Sequence, residues 1–420
     1  QPPDGNHLEE SGGDGGMKWE KVKLGDVCEI TSSKRIFYSE YVDDGVPFYR
    51  SKEIIESDEG KIIENPLYIS VDKYNEIKEK FGVPQTGDML LTSVGTIGIP
   101  YIIKKKDCFY FKDGNLTWFR DFREGLNSKY LYYWIKSSEG TGTLYNTTIG
   151  SSQKALTISA LKNIKVSLPP RSVQDKIVEV VSVYDDLIEN NQKQIKLLEE
   201  AGQRLYKEWF VDLRFPGHEN TKIVDGVPEG WNICPFSSKV DIMSGGTPKT
   251  SIPDYYNGRI PFYTPKDSDG AFFAYKTQMN ITEGGLKNCN SRLYPPKTVI
   301  ITARGTVGKT TILAVPMAMN QSCYALKMKE NDAPYYLFFA LNNEIKALQT
   351  MANGGVFNTI IGKTFDSINI QIPKDPLIYG FEKTVRPFME QIKNKLQANS
   401  KLVEARNRLL LKMMNGEVEV

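Results

Sequence analysis

The sequence predicts an α+β fold: two globular domains of mixed α/β character, separated by two long helices that form an antiparallel coiled coil, with an internal pseudo-twofold repeat. Three observations predict it. Short anchors recur in the same order in two halves of the chain. Each half closes on a long run with helical apolar spacing. Between the anchors lie short β-branched and aromatic runs bounded by Gly and Pro turns.

Length comes first. At 420 residues the chain exceeds one ordinary core, so two or more domains are expected. Residues 1–16 are Gly-rich and acidic and read as an appended tail, with Met17 the expected start. The boundaries then fall as a first globular domain at 17–171, a central helix at 172–213, a second globular domain at 214–374 and a C-terminal helix at 375–420.

The repeat fixes that division. Trp19 is answered by Trp231, Val46-Pro47-Phe48-Tyr49 by Ile260-Pro261-Phe262-Tyr263, and Gly114-Asn115 by Met319-Asn320. Ser93-Val94-Gly95-Thr96-Ile97-Gly98 recurs as Ala303-Arg304-Gly305-Thr306-Val307-Gly308. Tyr130-Leu131-Tyr132-Tyr133 recurs as Tyr336-Leu337-Phe338-Phe339, and Ile164–Pro169 as Ile368–Pro373. The spacing drifts from 212 residues at the tryptophans to 204 at the last anchor, the mark of a duplicated domain with insertions. Met89–Thr92 and Thr298–Thr302 read as strands, 128–138 and 333–348 as helices.

The first long helix opens at Ser172, with Asp175 placed to complete a capping box. Its apolar seam is Ile177, Val181, Tyr184, Ile188, Ile195, Leu198, Leu205 and Trp209, interrupted by Asn191 and Gly202. The second opens at Asp375-Pro376, an N-cap residue and a first-turn proline. At a constant offset of 204 its seam is Phe381, Val385, Phe388, Ile392, Lys395, Asn399, Leu402, Arg406, Leu409 and Met413. Matched seams of equal length make each helix the natural partner of the other, with Asn191, Asn399 and Arg406 fixing register. Each is a rod of roughly 55 Å.

Composition narrows the chemistry. Net charge is +2, or +6 without the tail's Asp4, Glu9, Glu10 and Asp14, which permits nucleic-acid binding without demanding it. Five cysteines without CxxC spacing make neither a zinc site nor a disulfide framework, so a reducing, cytoplasmic setting is expected. No apolar run suits a membrane span. Outside the tail His218 is the only histidine, and it sits in a Pro-Gly turn, which suits a solvated residue better than a catalytic base.

Three motifs suggest catalysis and fall short of it. Gly305–Thr310 lacks the first glycine of a phosphate-binding loop, because Ala303 stands there, and the first copy has Ile99-Pro100 where Lys-Thr should be. Asn65-Pro66-Leu67-Tyr68 differs from the tetrapeptide of amino-methyltransferases by Leu67. The acid-x-Lys triplets Glu59-Gly60-Lys61 and Glu76-Ile77-Lys78 suit solvated surface.

What both copies share is a tight glycine turn flanked by loops rich in polar and basic residues. Glycines let a backbone approach another chain closely, and amides, hydroxyls and cations bond phosphates and base edges. The candidate DNA-contacting residues are Lys34, Arg35, Arg50, Lys52, Ser93, Thr96, Ser152, Gln153 and Lys154 in the first copy. In the second they are Lys249, Thr250, Thr264, Lys266, Arg304, Thr306 and Lys309, with Gly354-Gly355-Val356-Phe357-Asn358 answering Gly150–Lys154. For each, a solvated loop residue is the plain alternative.

The sequence resembles the specificity subunits of type I restriction–modification systems. The resemblance rests on the duplicated Gly-Thr-x-Gly turns, on Leu168-Pro169-Pro170-Arg171-Ser172-Val173-Gln174 entering the first helix, and on Trp209-Phe210-Val211-Asp212-Leu213-Arg214-Phe215-Pro216-Gly217 leaving it. The second copy departs, with Ile372-Pro373-Lys374-Asp375-Pro376 and no Trp-Phe-Val-Asp tail. The resemblance implies that the two domains are target-recognition domains, each reading half of a bipartite site on double-stranded DNA, with the paired helices setting the spacer. It implies two modification (methyltransferase) subunits and restriction (endonuclease/translocase) subunits as partners. S-adenosylmethionine, ATP and Mg are then used by those partners, and this chain binds no cofactor and is not itself an enzyme. A stand-alone methyltransferase or nuclease with degenerate motifs, or a purely structural adaptor, remain the alternatives.

Overall fold

The computed structural model describes residues 19–58, 63, 65–150, 154–351 and 359–418. The chain divides into two units. The first combines the chain up to Glu189 with Lys401–Val420, and the second is Asn190–Ser400. The central helix, Arg171–Tyr206, and the C-terminal helix, Asp375–Met414, each contribute to both. Among the described residues no helix is long and apolar enough to cross a membrane.

In the first unit Glu20–Lys23 pairs antiparallel with Lys165–Leu168, closing the globular part just before the central helix. Its main sheet has the order Glu29–Thr31, Leu116–Arg120, Met89–Thr92, Pro100–Ile102, all antiparallel. Met89–Thr92 is buried at every residue, which is why it reads as an unbroken apolar run rather than an alternating one. A smaller sheet follows the order Tyr41–Val42, Leu67–Ile69, Val46–Tyr49, Tyr110–Phe111, its last pair parallel with Phe48 opposite Tyr110. The helix Ser128–Lys136 covers the main sheet and is capped by Asn127, whose Oδ1 accepts the Lys129 N–H at 2.9 Å.

The second unit repeats this plan. Asn232–Pro235 pairs with Asn369–Ile372. The main sheet runs Val240–Ser244, Cys323–Met328, Val299–Thr302, Thr310–Leu313, with Phe273–Ala274 added in parallel. The small sheet runs Asn280–Ile281, Tyr256–Tyr263, Ala318–Met319, and Phe262 lies parallel to Ala318 as Phe48 does to Tyr110. The covering helix is Pro334–Met351.

In each unit the two long helices run antiparallel. In the first, Ile177 and Val181 are fully buried with Leu410 and Met413, and Arg406 pairs with Asp185. Tyr184, Ile188, Leu402 and Leu409 are half-buried. In the second, Ile195, Phe381, Val385 and Ile392 are buried, while Leu198, Leu205 and Phe388 are half-buried against the same core. There Asn191 Nδ2 donates to Asn399 Oδ1 at 2.8 Å, and the Tyr206 and Phe381 rings meet at 5.9 Å.

The seams differ from the expected ones in three ways. They do not join helix to helix alone: Ile177 and Val181 share a core with Tyr130 and Tyr133, and Tyr206 packs on Tyr336 and Phe339. A helix facing both a partner helix and a globular layer needs a stripe wider than one heptad seam. The buried positions accordingly extend to Tyr206, Met389 and Leu410, each next to an expected Leu205, Phe388 and Leu409. Second, Gly202 is a socket rather than an interruption, since a Cβ there would sit 2.7 Å from Phe339 Cζ.

The third difference is at the helix start. The helix begins at Arg171, and Pro170 carbonyl accepts the Val173 and Gln174 N–H groups, so Ser172 and Asp175 form no capping box. Asp175 instead accepts from Arg171 Nε at 2.8 Å and Asn127 Nδ2 at 2.6 Å. Gln174 is fully buried, accepting the Asn127 N–H while its amide donates to the Gly125 and Pro169 carbonyls. The Trp-Phe-Val-Asp element forms a wide π-type turn, Lys207–Val211, that seats Phe210 5.2 Å from Phe381 and 5.1 Å from Tyr336.

Candidate nucleic-acid interface

One end of each main sheet gathers the loops that carry the candidate residues, and the same backbone braces hold them in both units. In the first unit Ser93 N–H donates to the Asn115 carbonyl at 2.8 Å and Leu156 N–H to the Ser93 carbonyl at 2.9 Å. In the second Ala303 N–H donates to the Ser322 carbonyl at 2.7 Å and Ile360 N–H to the Ala303 carbonyl at 2.9 Å. Lys112 N–H meets the Tyr49 carbonyl as Asn320 N–H meets that of Tyr263, so the structure matches Asn115 with Ser322 and not with the Asn320 that the repeat suggested. Differences in loop length and sequence have left this bracing intact.

The glycine turn is built alike as well. Gly95 and Gly98, and Gly305 and Gly308, take φ between 78° and 86°, where a side chain would be strained. Thr92 and Thr302, both fully buried, lock it: their hydroxyl oxygens accept the Ile99 N–H at 2.9 Å and the Lys309 N–H at 3.1 Å. The turn joins two antiparallel strands, not a strand to a helix, and the Thr310 hydroxyl donates to Asn342 Oδ1. Gly305–Thr310 therefore has neither the context nor the free hydroxyl of a phosphate-binding loop. Thr96 and, in the second copy, Arg304, Gly305 and Thr306 are exposed at the tips.

In the second unit these loops touch. Thr306 Oγ1 donates to the Pro265 carbonyl at 3.3 Å, setting Arg304 and Thr306 against Lys266. Gly245 lies so near Asn320 that a Cβ would be 2.2 Å from its carbonyl oxygen, and Thr247 bonds Gln321, which carries Lys249 and Thr250 to the same edge. Lys249, Thr250, Lys266, Arg304, Thr306 and Lys309 are all exposed. Gln321 was missed by sequence reasoning although it directly follows the Met319-Asn320 anchor.

Two expected contact residues are withdrawn. Ser93 is buried and its hydroxyl bonds the Leu91 carbonyl and Thr117 Oγ1, so none of it reaches solvent. Thr264 is buried and its hydroxyl and N–H both bond Asp267 at 2.8 Å, capping a short 3-10 turn. The strands end at Thr92 and Thr302, where the sequence reading ended them, but the next residue of each, Ser93 or Ala303, is still buried, leaving Val94 and Arg304 as the first turn positions. Ser152, Gln153 and Gly354–Asn358 lie outside the described residues, as do Glu59, Gly60 and Lys61.

The first unit's cations are engaged. Arg35 Nε bonds Asp113 at 2.8 Å, and Lys52 sits 3.6 Å from Glu56. Arg50 bonds Glu53 at 2.6 Å; burial opposes charge on Glu53, yet this guanidinium and the Arg50 N–H outweigh it and hold the carboxyl below its usual range. Lys34 lies over the Phe81 ring at 4.4 Å and Lys154 over Tyr145 at 3.6 Å. Elsewhere, His218 Nδ1 meets the Phe215 carbonyl in its turn, Glu76 pairs with Lys73 and Lys80 on a surface helix, and Asn65 is a left-handed turn residue ahead of Leu67–Ile69. Among the described residues no three His, Cys, Asp or Glu side chains are placed to hold a metal.

Comparison with known proteins returns one family. The model of the type I restriction modification DNA specificity domain matches twice, at residues 17–200 and 228–399. The chain is 27% identical over 421 residues to the type I restriction enzyme MjaIX specificity subunit of Methanocaldococcus jannaschii, covering 96% of this chain and 94% of that one. It is 24% identical over 325 residues to the HindI specificity subunit of Haemophilus influenzae, covering 63% and 71%. In fold it is similar to the crystal structure of a type I restriction–modification S subunit from M. genitalium, with a TM-score of 0.54 at 15% identity, over 97% and 98% of the two chains.

Proposed function

The chain belongs to the type I restriction–modification DNA specificity family, and on that premise we propose that it reads a bipartite site on double-stranded DNA, one half with each unit. The observation that carries this reading is the same loop edge, braced by the same backbone hydrogen bonds, at the end of both sheets. Loops on a rigid sheet end are where binding residues are displayed and varied. Exposed arginine, lysine and threonine there suit phosphate oxygens and base edges.

The two long helices, each contributing to both units, serve as the spacer element and as the scaffold for two modification subunits and for restriction subunits. Catalysis, with S-adenosylmethionine, ATP and Mg, belongs to those partners, in the cytoplasm, and this chain carries neither active site nor cofactor. The test is to express the full chain with its modification subunits and map methylated bases across a genome. The expected result is one bipartite motif with an unspecified gap; replacing residues 17–171 by those of a relative should change one half of it only. Methylation at an unbroken motif, or by this chain without partners, overturns the reading.

A further inference from the structure

The two reading edges differ in how they handle charge. In the first unit every described candidate cation is engaged: Arg35, Arg50 and Lys52 by carboxylates, Lys34 and Lys154 by aromatic rings. In the second, Lys249, Lys266, Arg304 and Lys309 are exposed and form no ion pair among the described residues. The acid nearest in sequence, Asp267, already accepts the Thr264 N–H and hydroxyl and the Gln278 N–H. The first unit offers something else: Tyr38 and Phe37 are 91% and 62% exposed on a short turn beside Lys34 and Arg35. That turn is rigid, since Glu40 accepts the Phe37 N–H at 2.8 Å and is itself held by Lys73 at 3.0 Å.

Resting on the DNA-reading role above, we propose that the two edges grip duplex DNA by different physics. The second unit is the electrostatic anchor, its four exposed cations, unpaired among the described residues, displacing counterions from phosphates. The first has its arginines and Lys52 paired with carboxylates and makes contact chiefly through the adjacent Phe37 and Tyr38 rings, apolar surface that docks on base steps or sugars without releasing counterions. An internal ion pair must be broken before its cation serves a phosphate, so Arg35, Arg50 and Lys52 add little to counterion release. The second unit's exposed cations meet no such opposition among the described residues. Rings held in place lose little conformational freedom on docking and suit a wedge or stacking surface.

The salt dependence of association separates these roles. Each phosphate contact adds about 0.9 to the slope of log affinity against log salt. Full chain assembled with its modification subunits is titrated by fluorescence anisotropy onto a labelled duplex of mixed sequence, several helical turns long, over a fourfold range of KCl. Single Lys249→Ala, Lys266→Ala, Arg304→Ala and Lys309→Ala variants should each lower the slope by about 0.9. The quadruple variant should lose about a hundredfold of salt sensitivity across that range. Lys266→Arg should retain the slope. Arg35→Ala and Lys52→Ala should leave it unchanged, and Phe37→Ala with Tyr38→Ala should weaken binding at all salt concentrations with the slope intact. Equal slope losses from both units, or a slope loss on removing the rings, overturn the division of roles while the DNA-reading role stands. No duplex binding by the unaltered complex at any salt defeats the DNA-reading role and this inference together.

Discussion

Glu382 makes the stability of the second unit depend on pH in an unusual direction. It lies on the C-terminal helix, 2% exposed, and its Oε1 accepts the Tyr336 N–H at 2.7 Å. That amide lies in the first turn of Pro334–Met351, where N–H groups lack intrahelical partners. Burial raises the carboxyl from 4.5 to about 7, against the pull of the Tyr336 and Tyr335 amides and of Arg386. The folded value exceeds the unfolded one, so the contribution is full below about pH 4.5 and is lost as pH rises through about 7. That rise corresponds to about 3 kcal/mol, all of it lost by about pH 8. Glu382→Gln keeps an oxygen for Tyr336 and cannot ionise. Urea unfolding followed by the second unit's tryptophans, Trp209 and Trp231, should show the parent weakening between about pH 5 and about pH 8 by a few kcal/mol more than the variant. Half-buried Glu199, also raised to about 7 by burial, adds a smaller loss of the same sign, so Glu199→Gln should flatten the profile further. Parallel pH profiles for the parent and Glu382→Gln would refute this account of the buried carboxylate.

Other substitutions follow from the same contacts. Tyr206→Ala removes a ring packed on Phe210, Tyr336, Phe339 and Phe381 and should cost about 3–5 kcal/mol in denaturant unfolding. Gln174→Ala leaves two carbonyls and the Asn127 N–H unsatisfied in the first unit, a loss of about 2–3 kcal/mol by the same measurement. Thr302→Val keeps the shape but leaves the Lys309 N–H only its 3.4 Å bond to the Thr306 carbonyl, so hydrogen exchange at Lys309 should quicken and duplex affinity fall, while the matched Thr92→Val acts on Ile99.

Much of the fold was legible because repetition carries information that single motifs do not. Val46–Tyr49 and Tyr256–Tyr263 are unremarkable alone, but matched anchors in one order require matched neighbours, and Phe48 with Tyr110 and Phe262 with Ala318 supply them. The helical seams were legible to within one residue. Sequence periodicity assumes a single partner, whereas Tyr206 and Met389 answer to a helix and a sheet-covering layer at once. Gly202 looked like a break because its partner, Phe339, is remote in sequence.

The site was less legible, and Ser93 shows why. Ser93 and Ala303 occupy one structural position, each donating its N–H across to the Asn115 or Ser322 carbonyl and accepting from Leu156 or Ile360. What both copies share there is the backbone bracing and the burial, not the hydroxyl. The same comparison sets Val94 against Arg304 and Ile99 against Lys309, an apolar residue against an exposed cation at both turn ends. Composition averages that contrast away, since a +2 net charge is silent about which unit holds unpaired lysines. The pairing of Arg35 with Asp113, remote in sequence, and of Arg50 with the buried Glu53 shows that basic residues matched in sequence are not matched in available charge.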